Sequence, residues 1–423
     1  MPDLAAALAQ HLSRERVALL RAAGAMAVRS RVSLYLVGGC VRDLLLGRPV
    51  LDLDLVAEGD ASALGDSLAA ELGGQVTARS QFGTVKLRVG ETILDLATSR
   101  TETYAQPGAL PTVKPGPLAA DLKRRDFSIN AMAAHLSPER FGELVDPFGG
   151  YDDLLAKTVR VLHRMSFMDD ATRILRGIRY EARLGFLMDV GTEALARRDA
   201  RYLETISPDR LRHELDRVLH EPEPERCLAR AREMGVLAAI LPALTWPARL
   251  HQEAGALREA DRTALLTPNA FLGLLAWPLA PDDASALARR LNLGAKQLGV
   301  VEDTRRLASL LPALTAPALR PSEAYALLKD LDPDAVHAAF IAAVDAPVAR
   351  GRLDAFVQRW RDCRPHLTAY RLLALGVPQG PLVGEFLRRL LAHRLDHPEV
   401  AASDEEAMVR RWLTERPQTP PKG

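Results

Sequence analysis

The stretch LYLVGGCVRDLLLGRPVLDLDLV, residues 34–56, decides how the rest of the chain is read. Leu34-Tyr35-Leu36-Val37 is a short apolar run stopping at Gly38-Gly39, which reads as a strand delivered into a tight turn. Cys40–Leu46 reads as a short helix stopped by Gly47. Such a strand-turn-helix aims backbone N–H groups at the helix start. Glycines admit a phosphate closely there, and the helix dipole favours an anion. Arg42 lies in the first helical turn, within reach of the same phosphate. Val50–Val56 then alternates Leu and Asp with period two, a strand with one apolar face. Asp52 and Asp54 share the other face, roughly 6–7 Å apart. Carboxylates so placed repel unless a cation sits between them, and hard divalent metals take oxygen ligands. A tight turn alone, or an exposed polar strand face alone, explains either half. Both in succession are what two-metal nucleotidyl transfer requires.

Working outward, Ala61–Leu72 reads as a helix closed by Gly73-Gly74. Thr84–Val89 and Thr92–Ala97, around Gly90, read as a hairpin. Residues 105–117 hold three prolines and two glycines among their first twelve positions and are expected to be a loop. Asp126–Ala134 looks helical. This order describes a small α/β domain over residues 31–150, preceded by an N-terminal helix over 1–30. From Asp152 onward, Ala, Leu and Arg recur at helical spacing between prolines such as Pro208, Pro242, Pro278, Pro312 and Pro333. A helical neck is expected over 151–220, a helical body and tail over 221–415, and disorder over 416–423. No fixed-period repeat marks a regular solenoid.

Composition narrows the functional classes. The 423 residues are 48% hydrophobic and 26% charged, which excludes a largely disordered chain. With 55 basic against 54 acidic residues the net charge is +1, which argues against a nucleic-acid-coating protein but leaves room for a local basic groove. The cations are lopsided: 7 are Lys and 48 Arg. Coding bias explains that imbalance without any function, although Arg suits phosphate better than Lys. Cys40, Cys227 and Cys363 form no CxxC pair, so a reducing compartment fits and a disulfide framework does not. The N-terminal stretch is interrupted by His11, Arg14, Glu15 and Arg16, as an amphipathic helix would be and a signal peptide would not. No apolar run reaches the ~18–20 residues of a membrane span. A cytoplasmic location without membrane association is expected.

Two later segments carry further polar chemistry. Asp121-Leu-Lys-Arg-Arg-Asp-Phe-Ser-Ile-Asn130 pairs Arg124 with Arg125 and sets Asn130 one helical turn after Asp126. The arginines suit phosphate, and Asp126 with Asn130 suits a ribose hydroxyl; helix capping by Asp126 explains the same residues structurally. Asp169-Asp170-Ala-Thr-Arg173 opens a helix running to about Gly185. At spacings of three and four these side chains share a face, which as a salt bridge is worth only ~0.2–0.5 kcal/mol. As a base reader it is more specific. A carboxylate accepts from the exocyclic amine of cytosine or adenine while a guanidinium donates to the adjacent ring nitrogen. Uracil and guanine present the opposite polarity and leave buried groups unpaired.

Together these segments resemble the class II tRNA nucleotidyltransferase and bacterial poly(A) polymerase family, over about Leu34–Leu219. GGCVRDLLLGRPVLDLDLV resembles its phosphate loop and metal Asp pair, DLKRRDFSINAMA its Arg-Arg-Asp segment, and DPFGGYDDL its connector. DDATRILRGIRYEARLGF resembles the nucleotide-selecting helix and SPDRLRHELDRVL the segment supporting it. The resemblance implies a polymerase-β-like head followed by an all-α neck, body and tail. It implies template-independent addition of C and/or A to a tRNA 3′ end from CTP and ATP. By position, Asp52 and Asp54 would bind two Mg²⁺, and Gly38, Gly39 and Arg42 would hold phosphate. Arg125, Asp126 and Asn130 would contact the incoming nucleotide; Asp170 and Arg173, beside Asp169, would select the base. Asp95 is a candidate third carboxylate. The tRNA acceptor end and nucleoside triphosphates are the implied partners, with no protein partner.

Two departures qualify this. Asp169 stands where the family often has Glu. The 100–121 loop is rich in Pro and Gly (AQPGALPTVKPGP) and lacks clustered charges, which leaves open an enzyme adding only CC or only A. Competing expectations are a poly(A) polymerase, a small-molecule nucleotidyltransferase and a noncatalytic RNA-binding module. The last is disfavoured by the intact Asp pair, and the poly(A) reading by the lack of a long basic C-terminal extension. The absence of any His-Asp dipeptide argues against an HD-type phosphohydrolase domain.

Overall fold

The apolar run after Arg31 forms β1 (Ser33–Val37), four of whose five residues are buried, and Gly38 turns it into helix α3 (Gly39–Leu45). Two helices precede it where one is expected. Helices α1 (Leu4–His11) and α2 (Arg14–Arg29) part at Leu12-Ser13, and Ser13 Oγ caps the second by accepting from the Arg16 amide. The structure is a computed structural model that describes residues 2–80 and 83–415. The expected disorder of 416–423 therefore lies outside the described residues.

A seven-stranded mixed sheet forms the frame of the first unit, Met1–Pro242. Its further strands are β2 (Leu53–Glu58), β3 (Gln75–Ser80), β4 (Thr84–Val89), β5 (Thr92–Thr98), β8 (Ala133–His135) and β9 (Leu144–Val145), in the order β3-β4-β5-β2-β1-β8-β9. The hairpin of β4 and β5 forms as expected, and β5 pairs parallel to β2 with Asp54 opposite Asp95. Helix α4 (Ala61–Leu72) has the expected limits, capped by the Asp60 carboxylate and closed by Gly73 in the left-handed conformation. It covers one face of the hairpin.

Three expectations need correction. β2 begins at Leu53, not Val50, because Arg16 takes the Val50 and Leu51 carbonyls at 2.7 and 2.8 Å. Residues 105–117 are not wholly loop: β6 (Arg100–Thr103) and β7 (Thr112–Pro115) pair antiparallel as a separate ribbon. Residues 126–134 are not a helix. The Ser128 amide donates to the Arg160 carbonyl, a single 3₁₀ turn spans Ser128–Asn130, and β8 joins β1. Phe127, Ile129 and Ala131–Ala134 are all fully buried, and such a run does not distinguish helix from strand by its period.

After α5 (Leu118–Lys123), α6 (Gly150–Leu155) and α7 (Ser166–Asp169) comes the long helix α8 (Thr172–Leu184), ended by left-handed Gly185. Phe127 anchors it, with ring centroids 6.5 Å from Phe167 and 5.8 Å from Tyr180. Gly177 permits that approach; a Cβ there would lie 2.5 Å from Met188 Cε and 2.9 Å from Phe127 Cζ. Helices α9 (Val190–Asp199) and α10 (Pro208–Leu219) follow.

The second unit, Ala243–Gly423, is helical in its described residues. Pro268, Pro281, Pro321, Pro333, Pro347 and Pro381 each sit at a helix start, where the missing N–H costs nothing. Pro312 is an exception to the expected breaks, since helix Ala295–Thr315 continues through it. Among the described residues no helix is long and apolar enough to cross a membrane.

Candidate active site

The start of α3 at Gly39, α8, α10 and the 121–130 segment converge on a cleft of about 640 Å³. Eight arginines line it (Arg42, Arg124, Arg125, Arg173, Arg176, Arg183, Arg210 and Arg217) against five carboxylates, Asp54, Glu102, Asp126, Asp170 and Glu214. The excess of guanidinium suits a polyanion. Gly38 adopts φ 73°, which favours glycine, and Arg125 Nη1 lies against the space a Cβ would take. Gly39 lines the cleft beside it.

The arginines are largely held by the protein itself. Arg42 is buried, donates to both Asp43 oxygens at 2.9 Å and reaches Asn130 Oδ1 at 2.7 Å. Arg124 and Arg125 share the fully buried Asp121 carboxylate. Asp126 accepts from Arg176 Nε and Nη2 at 2.9 and 2.6 Å on one oxygen and from the Phe127 amide and Asn130 Nδ2 on the other. Burial pushes the Asp126 carboxyl up, but the Arg176 charge and the Asn130 hydrogen bond outweigh it and hold the group below the ordinary range. Arg42, Asp126 and Asn130 thus stand at the cleft, as expected, but as an interlocked lattice rather than free ligands.

The 169–173 segment is not one helical face. Helix α7 ends at Asp169, Asp170 is extended (φ −148°, ψ 100°), and α8 starts at Thr172. Asp169 sits 3.9 Å from His163 and does not line the cleft. Asp170 Oδ1 accepts from the Thr172 amide and hydroxyl, while Oδ2 pairs with Arg210 at 2.8 Å. Arg173 is buried and donates to Ser166 Oγ at 2.8 Å and the Arg124 carbonyl at 2.7 Å. Asp170 and Arg173 do meet at the cleft. Arg210 also donates to the Gly108 carbonyl at the tip of the β6-β7 ribbon, at 3.3 Å.

Asp54 is solvent-exposed at the cleft, and Asp95 lies beside it on β5 with Lys86 Nζ 3.2 Å from its carboxylate. Partial desolvation, then the Asp95 charge, pushes the Asp54 carboxyl up. Asp52 precedes the strand and opens into a neighbouring groove rather than the arginine cleft. No group of three or more acidic, His or Cys side chains among the described residues is arranged to hold a metal ion. The donor chemistry nevertheless fits hard divalent cations: carboxylate oxygens, with a mutual repulsion that a cation would relieve. Cys40 packs between them, its Sγ 3.0 Å from the Asp52 carbonyl, and burial followed by the Asp54 charge pushes the thiol up to about 12. Burial likewise pushes Cys227 up to about 12. Iodoacetamide at pH 8 is therefore expected to label Cys363 alone in the native protein, since thiolate is the reactive form. Native-state labelling of Cys40, read by peptide mass, would contradict this packing.

Residues 34–160 match the family model described as the poly A polymerase head domain, and 185–246 the one described as a probable RNA and SrmB-binding site of polymerase A. The A-adding tRNA nucleotidyltransferase of Halalkalibacterium halodurans is 35% identical over 388 residues, 89% of this chain and 88% of that protein. The chain belongs to the tRNA nucleotidyltransferase family. It is 34% identical over 420 residues to the A-adding enzyme of Geobacter sulfurreducens, covering 95% of this chain but spanning only about half (47%) of that relative's length. It is 33% identical to the CC-adding enzyme of Deinococcus radiodurans over 91% of each. The solved Thermotoga maritima CCA-adding enzyme complexed with tRNA superposes with a TM-score of 0.82 at 27% identity, covering 97% and 99% of the two chains.

For a nucleotidyltransferase of this family, sequence reasoning missed several cleft residues. Arg176 and Arg183 repeat on α8 at helical spacing from Arg173, a signal present in RILRGIRYEAR. Arg210, His213 and Glu214 come from α10, whose sequence was expected only to support the selecting helix. Glu102 and Tyr104 follow β5 in an unremarkable TETY stretch, and nothing local marks them.

Proposed function

We propose that this chain adds nucleotides to the 3′ end of tRNA without a nucleic-acid template, using the arginine cleft for the nucleoside triphosphate and a single A as the product. The arginine excess around Gly38-Gly39, meeting Asp54 at the cleft edge, carries this reading. The triphosphate would lie against Gly39 and the arginines, and Asp126 with Asn130 would face the ribose. Two Mg²⁺ ions held by Asp52 and Asp54, with Asp95 beside them, would activate the attacking 3′-hydroxyl and stabilise the leaving pyrophosphate. Residues 31–150 and 151–220 would serve as catalytic head and nucleotide-selecting neck, with 221–415 engaging tRNA, in the cytoplasm.

Selection of one base is supported by the double tie of Arg210. It holds Asp170 and the Gly108 carbonyl together. A change from C to A would require the reading face to reorient, and this tie favours one arrangement. Arg210→Ala is expected to reduce the ratio of kcat/KM for ATP over CTP roughly tenfold, equivalent to about 1.4 kcal/mol. An unchanged ratio would remove Arg210 from base selection. The function itself is tested by incorporation of labelled nucleotides on tRNA and on unstructured RNA; long A tails on the latter would favour a poly(A) polymerase.

A further inference from the structure

Just before the strand that carries the carboxylates, the backbone leaves the sheet. β2 begins at Leu53, which stands opposite Leu94 of β5, so residues 50–52 lie outside the ladder. Their carbonyls are nonetheless taken, each by a side chain from a helix. Arg16 on α2 donates from Nη1 to the Val50 carbonyl at 2.7 Å and from Nη2 to the Leu51 carbonyl at 2.8 Å. The Cys40 thiol on α3 donates to the Asp52 carbonyl at 3.0 Å and accepts from the Asp54 amide at 3.3 Å. Leu51 is 84% exposed, so water could serve its carbonyl. A half-buried guanidinium serves it instead, and Arg16 forms no ion pair among the described residues.

These bonds have a consequence for Asp52. The peptide plane between Leu51 and Asp52 carries the Leu51 carbonyl, and the next plane carries the Asp52 carbonyl. With both planes held, φ and ψ of Asp52 are set, and with them the direction of its Cα–Cβ bond. Arg16 can serve as a fixed point because α2 is itself pressed onto the first unit. Leu20, Ala23 and Ala27 on that helix are at most 1% exposed. A Cβ on Gly24 would fall 1.8 Å from the Leu136 carbonyl oxygen, so the helix lies as close there as backbone allows. The planar fork of an arginine holds two carbonyls at once, which a lysine ammonium does less well.

We propose that Arg16 is a positioning residue for the metal site: by holding the Val50 and Leu51 carbonyls it sets the direction in which Asp52 presents its carboxylate to the divalent cations. The assignment rests on the functional reading above. It gives α2, which precedes the matched head segment 34–160, a part in the chemistry.

The test compares the full chain with Arg16→Met, Arg16→Lys and, as a control at an exposed position of the same helix, Arg14→Met. For each, nucleotide addition gives the half-maximal Mg²⁺ concentration and the KM for ATP at saturating Mg²⁺. Electron paramagnetic resonance gives Mn²⁺ binding with a nonhydrolysable ATP analogue present, and a thermal melt is run alongside. Arg16→Met is expected to raise the half-maximal Mg²⁺ concentration and to weaken Mn²⁺ binding about tenfold, with the KM for ATP within about twofold of wild type. Arg16→Lys, which keeps the charge but not the fork, should fall between, and Arg14→Met should match wild type. A purely structural role would lower the melting temperature and total activity while leaving the Mg²⁺ and Mn²⁺ dependence in place, and that result overturns the proposal. So does an equal rise in the KM for ATP. If Arg16→Met does not fold, Arg16→Lys decides: an unshifted metal dependence there overturns the proposal. In each of these cases an active wild type leaves the functional reading intact. A wild-type chain that neither binds Mn²⁺ nor adds nucleotides overturns that reading itself.

Discussion

Asp54→Asn is expected to lower nucleotide addition by roughly 10³-fold, about 4 kcal/mol of transition-state stabilisation, with thermal stability unchanged or slightly raised. The side chain is exposed, so little packing is lost. Its carboxyl is already pushed up by desolvation and by Asp95, so the amide relieves a repulsion in the resting protein. What the amide cannot do is hold a divalent cation as a charged ligand. Single-turnover rates at saturating nucleotide and tRNA, with melting temperature alongside, separate the two effects. A variant within tenfold of wild type would remove Asp54 from the metal role.

Arg176→Met is expected to destabilise the first unit by roughly 2–3 kcal/mol, below the usual range for breaking a buried pair because the Arg176 side chain is 32% exposed. Its removal strands the buried Asp126 carboxylate with two neutral donors. The pH dependence follows from the same contact. Asp126 has a depressed pKa in the folded protein. Its contribution is therefore present above the ordinary Asp pKa of about 3.9 and is lost as pH falls through the folded value. In Arg176→Met the folded pKa rises toward or above that ordinary value, so this contribution shrinks or reverses. Urea denaturation at pH 7 and pH 4 checks both: the variant should lose less stability between the two than wild type does, because protonation at low pH relieves its stranded carboxylate. An equal loss would mean that Arg176 does not hold the Asp126 charge.

The framework of the catalytic end was legible because it depends on local rules. Gly38 marks a turn whose positive φ favours glycine, and the hairpin of β4 and β5 shows in its alternation. Helix α4 shows in its caps. β3 was not legible because five of its six residues are exposed, so no alternation betrays it. The β6-β7 ribbon was hidden by Pro107, Pro111 and Pro115, which signal loop even where an edge pairing forms. The 126–134 segment was misread because burial on every side erases the period. Within the site, residue types were legible but their partners were not. Sequence offers Arg42, Asp126 and Asp170 as free ligands, whereas Asp43, Arg176 and Arg210 occupy them, and those partners come from as far as 50 residues away.

The most direct test is extension of a tRNA ending in CC and of one ending at the discriminator base, with Mg²⁺ and ATP, CTP or both, read by sequencing the products. The account predicts one A on the CC-ended tRNA and no extension of the other by CTP. Completion of CCA on the discriminator-ended tRNA, or a halt after CC, would contradict the single-A product. Failure to extend either tRNA would contradict the assignment as a whole.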